Sequence, residues 1–145
     1  MWSELQQVLL DRLRAADCPD FSRAAIDPSP VQAERGRSRP KVGPSPVDRA
    51  RPGSKHHVLT DGNGIPLRVS LTGAHPNDVT QLLSLVDDLP PVRGKRGRPR
   101  RKPGAVYADR GYDRDICRRR LRERRITSRI ARRGQAHGSG LGRAR

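Results

Sequence analysis

Apolar side chains recur at helical spacing in three stretches of the chain and alternate with polar ones between them. Leu5, Val8, Leu9 and Leu13 fall on one side of a helical wheel, behind Ser3 and Gln6 at capping-box spacing. That predicts an amphipathic helix over residues 3–16, stopped by Pro19. Arg23 to Asp27 has the length of a short buried strand, ended by Pro28 and Pro30. Residues 55–60 and 65–71 flank Asp61-Gly62-Asn63-Gly64, whose Asp-Gly and Asn-Gly pairs favour positive φ. A hairpin is predicted there, with Leu67, Val69 and Leu71 on its core face. Asn77 suits the cap of a helix in which Val79, Leu82, Leu83 and Val86 follow the i, i+3, i+4, i+7 rule up to Pro90-Pro91. Ala105 to Asp109 reads as a buried strand closing on an acid, and Arg110-Gly111 as a turn. A helix over 112–124 with Ile116, Cys117 and Leu121 inward follows, and 126–130 makes a last strand.

Residues 28–53 are Pro, Gly, Ser and Arg with few large apolar side chains, which predicts a mobile loop, and 92–103 form a second, basic loop. Beyond Ala131 the chain is Gly, Arg and Ser, a disordered basic tail over 131–145. The order helix, strand, loop, hairpin, helix, strand, helix, strand is α/β, the layout of an RNase H-like mixed sheet with flanking helices. A fold of that kind does not by itself assign chemistry.

Composition narrows the classes. With 145 residues, 32% apolar and 3% aromatic, the chain supports one modest core, which excludes a multidomain enzyme. No window approaches the roughly 18–20 apolar residues of a membrane helix, and the start lacks a signal-peptide pattern, so a cytoplasmic protein is expected. Cys18 and Cys117 stand apart from any metal-binding spacing and read as reduced thiols. Lys and Arg number 31 against 15 acids, a net charge of +16 that points to a polyanion partner. From residue 91 onward twenty basic residues face four acidic ones. Two readings fit that excess, a surface for backbone phosphates and a solvated Arg-rich tail. The scarcity of aromatics disfavours single-strand stacking.

In the RNase H-like topology the strand ending at Asp27 lies parallel to the strand ending at Asp109, about 5 Å away. Two carboxylates so placed can share a Mg²⁺ or Mn²⁺ ion, or each can end its strand and start a turn. His56 and His57 are adjacent on a strand and face opposite sides, so they fit a phosphate contact or packing rather than one shared metal. Asn77-Asp78 reads as a helix cap with a first-turn acid. Asp61 and Asn63 read as turn formers.

An ordered series of short motifs adds a resemblance. It runs through Ser22-Arg23-Ala24-Ala25-Ile26-Asp27, Gly43-Pro44-Ser45-Pro46-Val47-Asp48-Arg49 and Gly53-Ser54-Lys55-His56-His57. It continues with Gly73-Ala74-His75-Pro76-Asn77-Asp78, Tyr107-Ala108-Asp109-Arg110-Gly111-Tyr112-Asp113 and Ile130-Ala131-Arg132-Arg133-Gly134. The set resembles the DDE-type transposases of bacterial insertion sequences. That resemblance implies a metal-dependent enzyme that cleaves and transfers DNA strands, with Asp27 and Asp109 as catalytic acids and metal ligands for a two-metal Mg²⁺ or Mn²⁺ site. It also implies double-stranded DNA as partner, homo-oligomers as a form open to the family and the bacterial nucleoid as location. The residues expected on DNA are Lys55, His56, Arg93, Lys95, Arg96, Arg98, Arg100, Arg101, Lys102, Arg110, Arg132 and Arg133. Residues 1–20 would be the remnant of a preceding helical region and 21–130 a partial catalytic domain. Members carry a third acid, a Glu on a helix after the Arg-Arg-Gly stretch, whereas the last acid here is Glu123. Pro28 and Pro30 also stand where small and polar residues are common. The expectation is therefore a fragment that binds DNA without cutting it, the alternative being a non-enzymatic basic nucleic-acid-binding protein or an inactive remnant.

Overall fold

The computed structural model describes residues 2–32, 43–44, 52–73 and 78–134. Helix α1 (Trp2–Ala15) precedes strand β1 (Arg23–Gln32), the hairpin β2 (Pro52–Asp61) and β3 (Pro66–Gly73), helix α2 (Asp78–Asp87) and strand β4 (Ala105–Ala108). A 3-10 turn over Arg110–Tyr112, helix α3 (Asp115–Glu123) and strand β5 (Thr127–Ile130) complete the order. The described strands form one mixed sheet in the spatial order β3-β2-β1-β4-β5, and Gly43–Pro44 adds a short antiparallel rung at the start of β2. β1, β2 and β3 pair antiparallel, while β1–β4 and β4–β5 are parallel. This is the expected RNase H-like layout. Most of the predicted 28–53 loop, the Asn77 cap and the tail from residue 135 lie outside the described residues.

One side of the sheet carries the core. Ala24 and Ile26 of β1, His57 and Leu59 of β2, Leu67 of β3, Val106 of β4 and Ile130 of β5 are buried, with Leu82, Leu85 and Val86 of α2 and Cys117 and Leu121 of α3 over them. Each such leucine contributes about 1.5–3 kcal/mol by leaving water. The side chains in between, Arg23, Ala25 and Asp27 on β1 and Tyr107 on β4, are exposed on the opposite side. Val69 (50%) and Leu71 (38%) lie on that open side as well.

Four expectations are corrected. β1 runs on through Pro28 and Pro30 to Gln32, paired with β2 along its whole length, because β4 covers its other edge only from Arg23 to Ala25. Two prolines two residues apart turn their missing N–H groups to the same side, and on that uncovered edge no ladder bond is lost.

The three leucine and valine positions of β3 do not share a face. A bulge opposite Leu59 and Thr60 shifts the strand by one residue, so Leu67 turns inward while Val69 and Leu71 turn out beside Val58 and His56.

Helix α1 buries a different side from the one its leucines suggest. Leu10 is the buried position (2%), whereas Leu5, Val8, Leu9 and Leu13 remain 36–51% exposed. Polar side chains anchor it instead, since Gln6 donates to the Leu67 carbonyl at 2.9 Å and Gln7 to the Pro91 carbonyl at 2.9 Å, with Asp11 accepting from the Arg93 amide at 2.6 Å. The helix already includes Ser3, and Gln6 is committed to Leu67, so no capping box forms.

α3 begins at Asp115 rather than 112, and Ile116 is 40% exposed. Asp109 caps the 3-10 turn first, which rotates the start of the helix and leaves the Cys117 and Leu121 side inward.

Candidate functional site

The parallel register matches Arg23 with Ala105, Ala24 with Val106 and Ala25 with Tyr107. Two further residues along each chain bring Asp27 level with Asp109, where β4 has just ended. Both lie on the open side of the sheet, two residues beyond the exposed Ala25 and Tyr107, and both are exposed. Strand spacing sets their backbones about 5 Å apart.

Asp109 is held by its own turn. Its Oδ1 accepts from the Gly111 amide at 2.8 Å, and a Cβ on Gly111 would come within 2.9 Å of that oxygen, so the glycine is what lets the turn close so tightly. Neither Asp27 nor Asp109 has a Lys or Arg partner among the described residues. Two unpaired, exposed carboxylates side by side repel each other, and a hard divalent cation with free coordination places relieves that repulsion. Among the described residues no group of three or more His, Cys, Asp or Glu side chains converges as a metal cage.

Two other acids, Asp113 and Asp61, are engaged elsewhere. Asp113 pairs with Arg118 at 2.6 Å and accepts from the Arg133 amide at 2.7 Å. The Arg118 hydrogen bond, helped by the Arg133 amide, holds its carboxyl below the usual carboxylate range. It ties the chain after β5 to the start of α3. Asp61 is 3% exposed and spends both oxygens on backbone amides: Oδ1 accepts from Asn63 and Ile65, Oδ2 from Asp20. Sequence reasoning saw a turn former there and missed that this carboxylate also ties the hairpin to the segment entering β1.

His56 and His57 do face opposite sides. His57 is fully buried, its Nε2 2.9 Å from the Thr72 hydroxyl, so it packs; His56 is half-buried on the open side, beside Ser29. Lys55 precedes them on β2.

The basic residues separate into two groups. Residues 92–102 form a loop closed by reciprocal backbone bonds between Val92 and Arg100, with Gly94 and Gly97 at positive φ. Arg93, Arg96, Arg98, Arg100 and Arg101 are exposed there, whereas Lys95 pairs with Asp17 and Lys102 donates to the Arg124 carbonyl at 2.7 Å. This loop leads into the start of β4. Arg110, Arg132 and Arg133 gather at the other end, beside Asp109, where the Arg133 Nε donates to the Arg110 carbonyl at 3.0 Å. Tyr107, 44% exposed on the open side, lies across from Ala25 and Arg129. It too was missed as a site neighbour, although its place two residues before Asp109 signals the shared face.

A mixed sheet in this order, with one acid within β1 and another just past the end of its parallel neighbour β4, is the layout of an RNase H-like domain. The model of the transposase DDE domain family matches residues 19–143, and the chain belongs to that family. It is 63% identical over 107 residues to a Burkholderia cepacia protein described as "Putative transposase for insertion sequence element IS402", a match covering 74% of this chain and 51% of that protein. A second Burkholderia cepacia protein, "Insertion element IS402 uncharacterized 16.2 kDa protein", is 54% identical over 33 residues, 23% of this chain and 22% of that protein. The chain thus spans about half the length of the longer match. No described helix is long and apolar enough to cross a membrane.

Proposed function

We propose that this chain forms the DNA-engaging core of an insertion-sequence transposase, in which Asp27 of β1 and Asp109 just past β4 are the two acids of a divalent-metal site. The observation that carries this is the pairing of two exposed, cation-free carboxylates at the level of the same β1–β4 register. Mg²⁺ or Mn²⁺ bound there would stabilise charge on the oxygens of a phosphodiester under in-line attack. Asp27 and Asp109 supply oxygen ligands, the Gly111 amide fixes the Asp109 side chain, and the exposed Arg93, Arg96, Arg98, Arg100 and Arg101 hold backbone phosphates. Lys55, His56, Arg110, Arg132 and Arg133 extend that contact toward the acids. Lys95 and Lys102 add charge while also bracing the loop.

Two carboxylates alone hold one cation weakly, and a two-metal clamp takes further ligands. Residues 1–145 alone therefore bind duplex DNA without nicking it. The exposed Val69, Leu71 and Tyr107 favour the same reading, because they leave an apolar sheet face open beside the acids.

The test is Mn²⁺-dependent paramagnetic broadening on the protein, on Asp27→Asn and on Asp109→Asn. Broadening of residues around Asp109 in the parent and its loss in both variants is expected; equal response in all three removes the site. In parallel, duplex DNA incubated with the parent and Mn²⁺ should stay intact. Nicking that depends on Asp27 and Asp109 would show that these residues suffice and that the two-ligand argument is wrong.

A further inference from the structure

The flank of α3 next to its buried stripe carries arginine at helical spacing. Arg118 and Arg122 are four residues apart, and Arg125 follows just beyond the helix end with φ +58°. Cys117 and Leu121, also four apart, fix the neighbouring stripe, about 100° round the helix, in the core, so the Arg stripe is held in place rather than trailing in solvent. Between that stripe and β5 runs an open groove of about 550 Å³, walled by Arg118, Arg122 and Arg125 on one side, by Ser128 on the other and by Arg132 at one end.

Its charge is unbalanced. Asp113 neutralises Arg118 and lies within the field of Arg132, Glu123 pairs with Arg120 and Asp87 with Arg124, which leaves Arg122 and Arg125 without an acidic partner among the described residues. The C-terminus of α3 also points here, but its dipole is equivalent to only about half a negative charge. The Lys102 ammonium on the Arg124 carbonyl, and the Arg124, Arg125 and Ile126 amides on the Leu121 and Arg122 carbonyls, offset much of that. The Arg122 and Arg125 charges prevail. Two buried polar atoms on the groove wall, Arg118 Nε and Ser128 Oγ, have no hydrogen-bond partner. A buried donor without a partner costs free energy, and a small rotation of either side chain toward an anionic oxygen in the groove would relieve it.

The groove also has a direction. α3 runs back along β5, so Arg125 and Arg122 lie at the end where Lys102 of the basic loop docks, and Arg118 and Arg132 at the end where Arg133 reaches Arg110 beside Asp109. It joins the two basic groups that the sheet otherwise separates.

We propose that this groove is a phosphodiester-binding track, lined by Arg118, Arg122, Arg125, Ser128 and Arg132, that leads a strand of duplex DNA from the basic loop to the acid pair. It rests on the reading of the chain as a DNA-engaging protein. An elongated polyanion fits better than free phosphate, because the cations are spread along the groove and continue into the loop.

The test compares duplex affinity across about 50–200 mM salt for the parent, Arg122→Gln/Arg125→Gln and Arg122→Lys/Arg125→Lys. Neither side chain makes a hydrogen bond within the described fold, and circular dichroism checks that the variants stay folded. The Gln pair should lower the slope of log affinity against log salt by about 1–2, at about 0.9 per lost phosphate contact, and the Lys pair should keep it. A parent that binds duplex and a Gln pair with an unchanged slope would overturn the track and leave the wider reading standing. A parent that does not bind duplex overturns both. Independently, nuclear magnetic resonance on the parent follows the Arg122 and Arg125 Nε–H and Ser128 amide signals during titration with a short duplex or with inorganic phosphate. Saturation by duplex, at concentrations where phosphate has no effect, supports the track. Saturation by phosphate alone assigns a small-anion pocket and refutes it.

Discussion

Replacing Asp61 tests whether one buried carboxylate holds the hairpin end of the sheet. Its Oδ1 accepts from the Ile65 amide at 2.7 Å and the Asn63 amide at 2.9 Å, and its Oδ2 from the Asp20 amide at 2.6 Å. Asp61→Asn keeps an oxygen for the first two donors but sets an NH₂ group against the Asp20 N–H. One charge-assisted bond is lost and a donor is left facing a donor, which costs about 1–3 kcal/mol. Asp61→Ala strands all three amides. Water re-enters at the partly exposed Asp20 side, so the expected cost is about 3–5 kcal/mol rather than the full sum. Asn63→Ala, which removes an exposed side chain and keeps the same backbone donor, should stay within about 0.5 kcal/mol. Urea unfolding followed by circular dichroism measures all three. Asp61 pairs with Ala24, three residues before Asp27, and its carboxylate bonds only the Asp20, Asn63 and Ile65 amides, so a folded Asp61→Asn protein should retain the Mn²⁺ response of the parent. The reasoning fails if Asp61→Asn is as stable as the parent, or if Asp61→Ala is no worse than Asp61→Asn.

Two further outcomes follow from the titrating groups. The Arg124 hydrogen bond holds the Asp87 carboxyl below its usual range, so the pair stabilises the fold above the unfolded carboxylate value of about 3.9 and is lost as pH falls through the lower folded value. With the Asp87 side chain 49% exposed the contribution is at most about 1 kcal/mol; Asp87→Asn should fall below the parent in urea midpoint at pH 7, the gap should narrow as pH is lowered toward 3, and an equal gap at both would refute this. Burial raises the Cys117 thiol, against a smaller opposing pull from Arg114 and Arg118, whereas Cys18 is partly exposed. A thiol reagent at neutral pH should therefore label Cys18 of the native protein first and Cys117 only at the rate of unfolding, and two equal fast phases would contradict that.

Much of the candidate site was legible in the chain because it depends on local pattern. A strand closing on an acid, followed by Arg-Gly, marks Asp109 without knowledge of its neighbours, and the hairpin turn marks the strands that carry His56 and His57. That Asp27 lies level with Asp109 follows from the parallel β1–β4 register carried two residues past Ala25 and Tyr107, although β1 itself runs on to Gln32. Asp113 shows the limit. It stands as near Asp109 in sequence as any acid, and only the folded chain reveals that Arg118 and the Arg133 amide occupy it.

By itself the sequence determined the order of helices and strands, the hairpin, the layer of leucines on α2 and the concentration of positive charge after residue 91. These follow from periodicity, turn chemistry and composition, each a property of a few neighbouring residues. The tertiary structure alone decided how far β1 extends, since Pro28 and Pro30 are tolerated only because β4 leaves that edge unpaired. It decided which side of β3 meets the core, because one bulge residue reverses the alternation after Leu67. It turned the leucine face of α1 outward, where Gln6, Gln7 and Asp11 found backbone partners on the inner side. And it drew Arg118, Arg122 and Arg125 alongside Ser128 and Arg132 into one groove. Periodicity says which side chains share a face, but what that face meets depends on contacts between residues far apart in the chain, and those exist only once the sheet has formed.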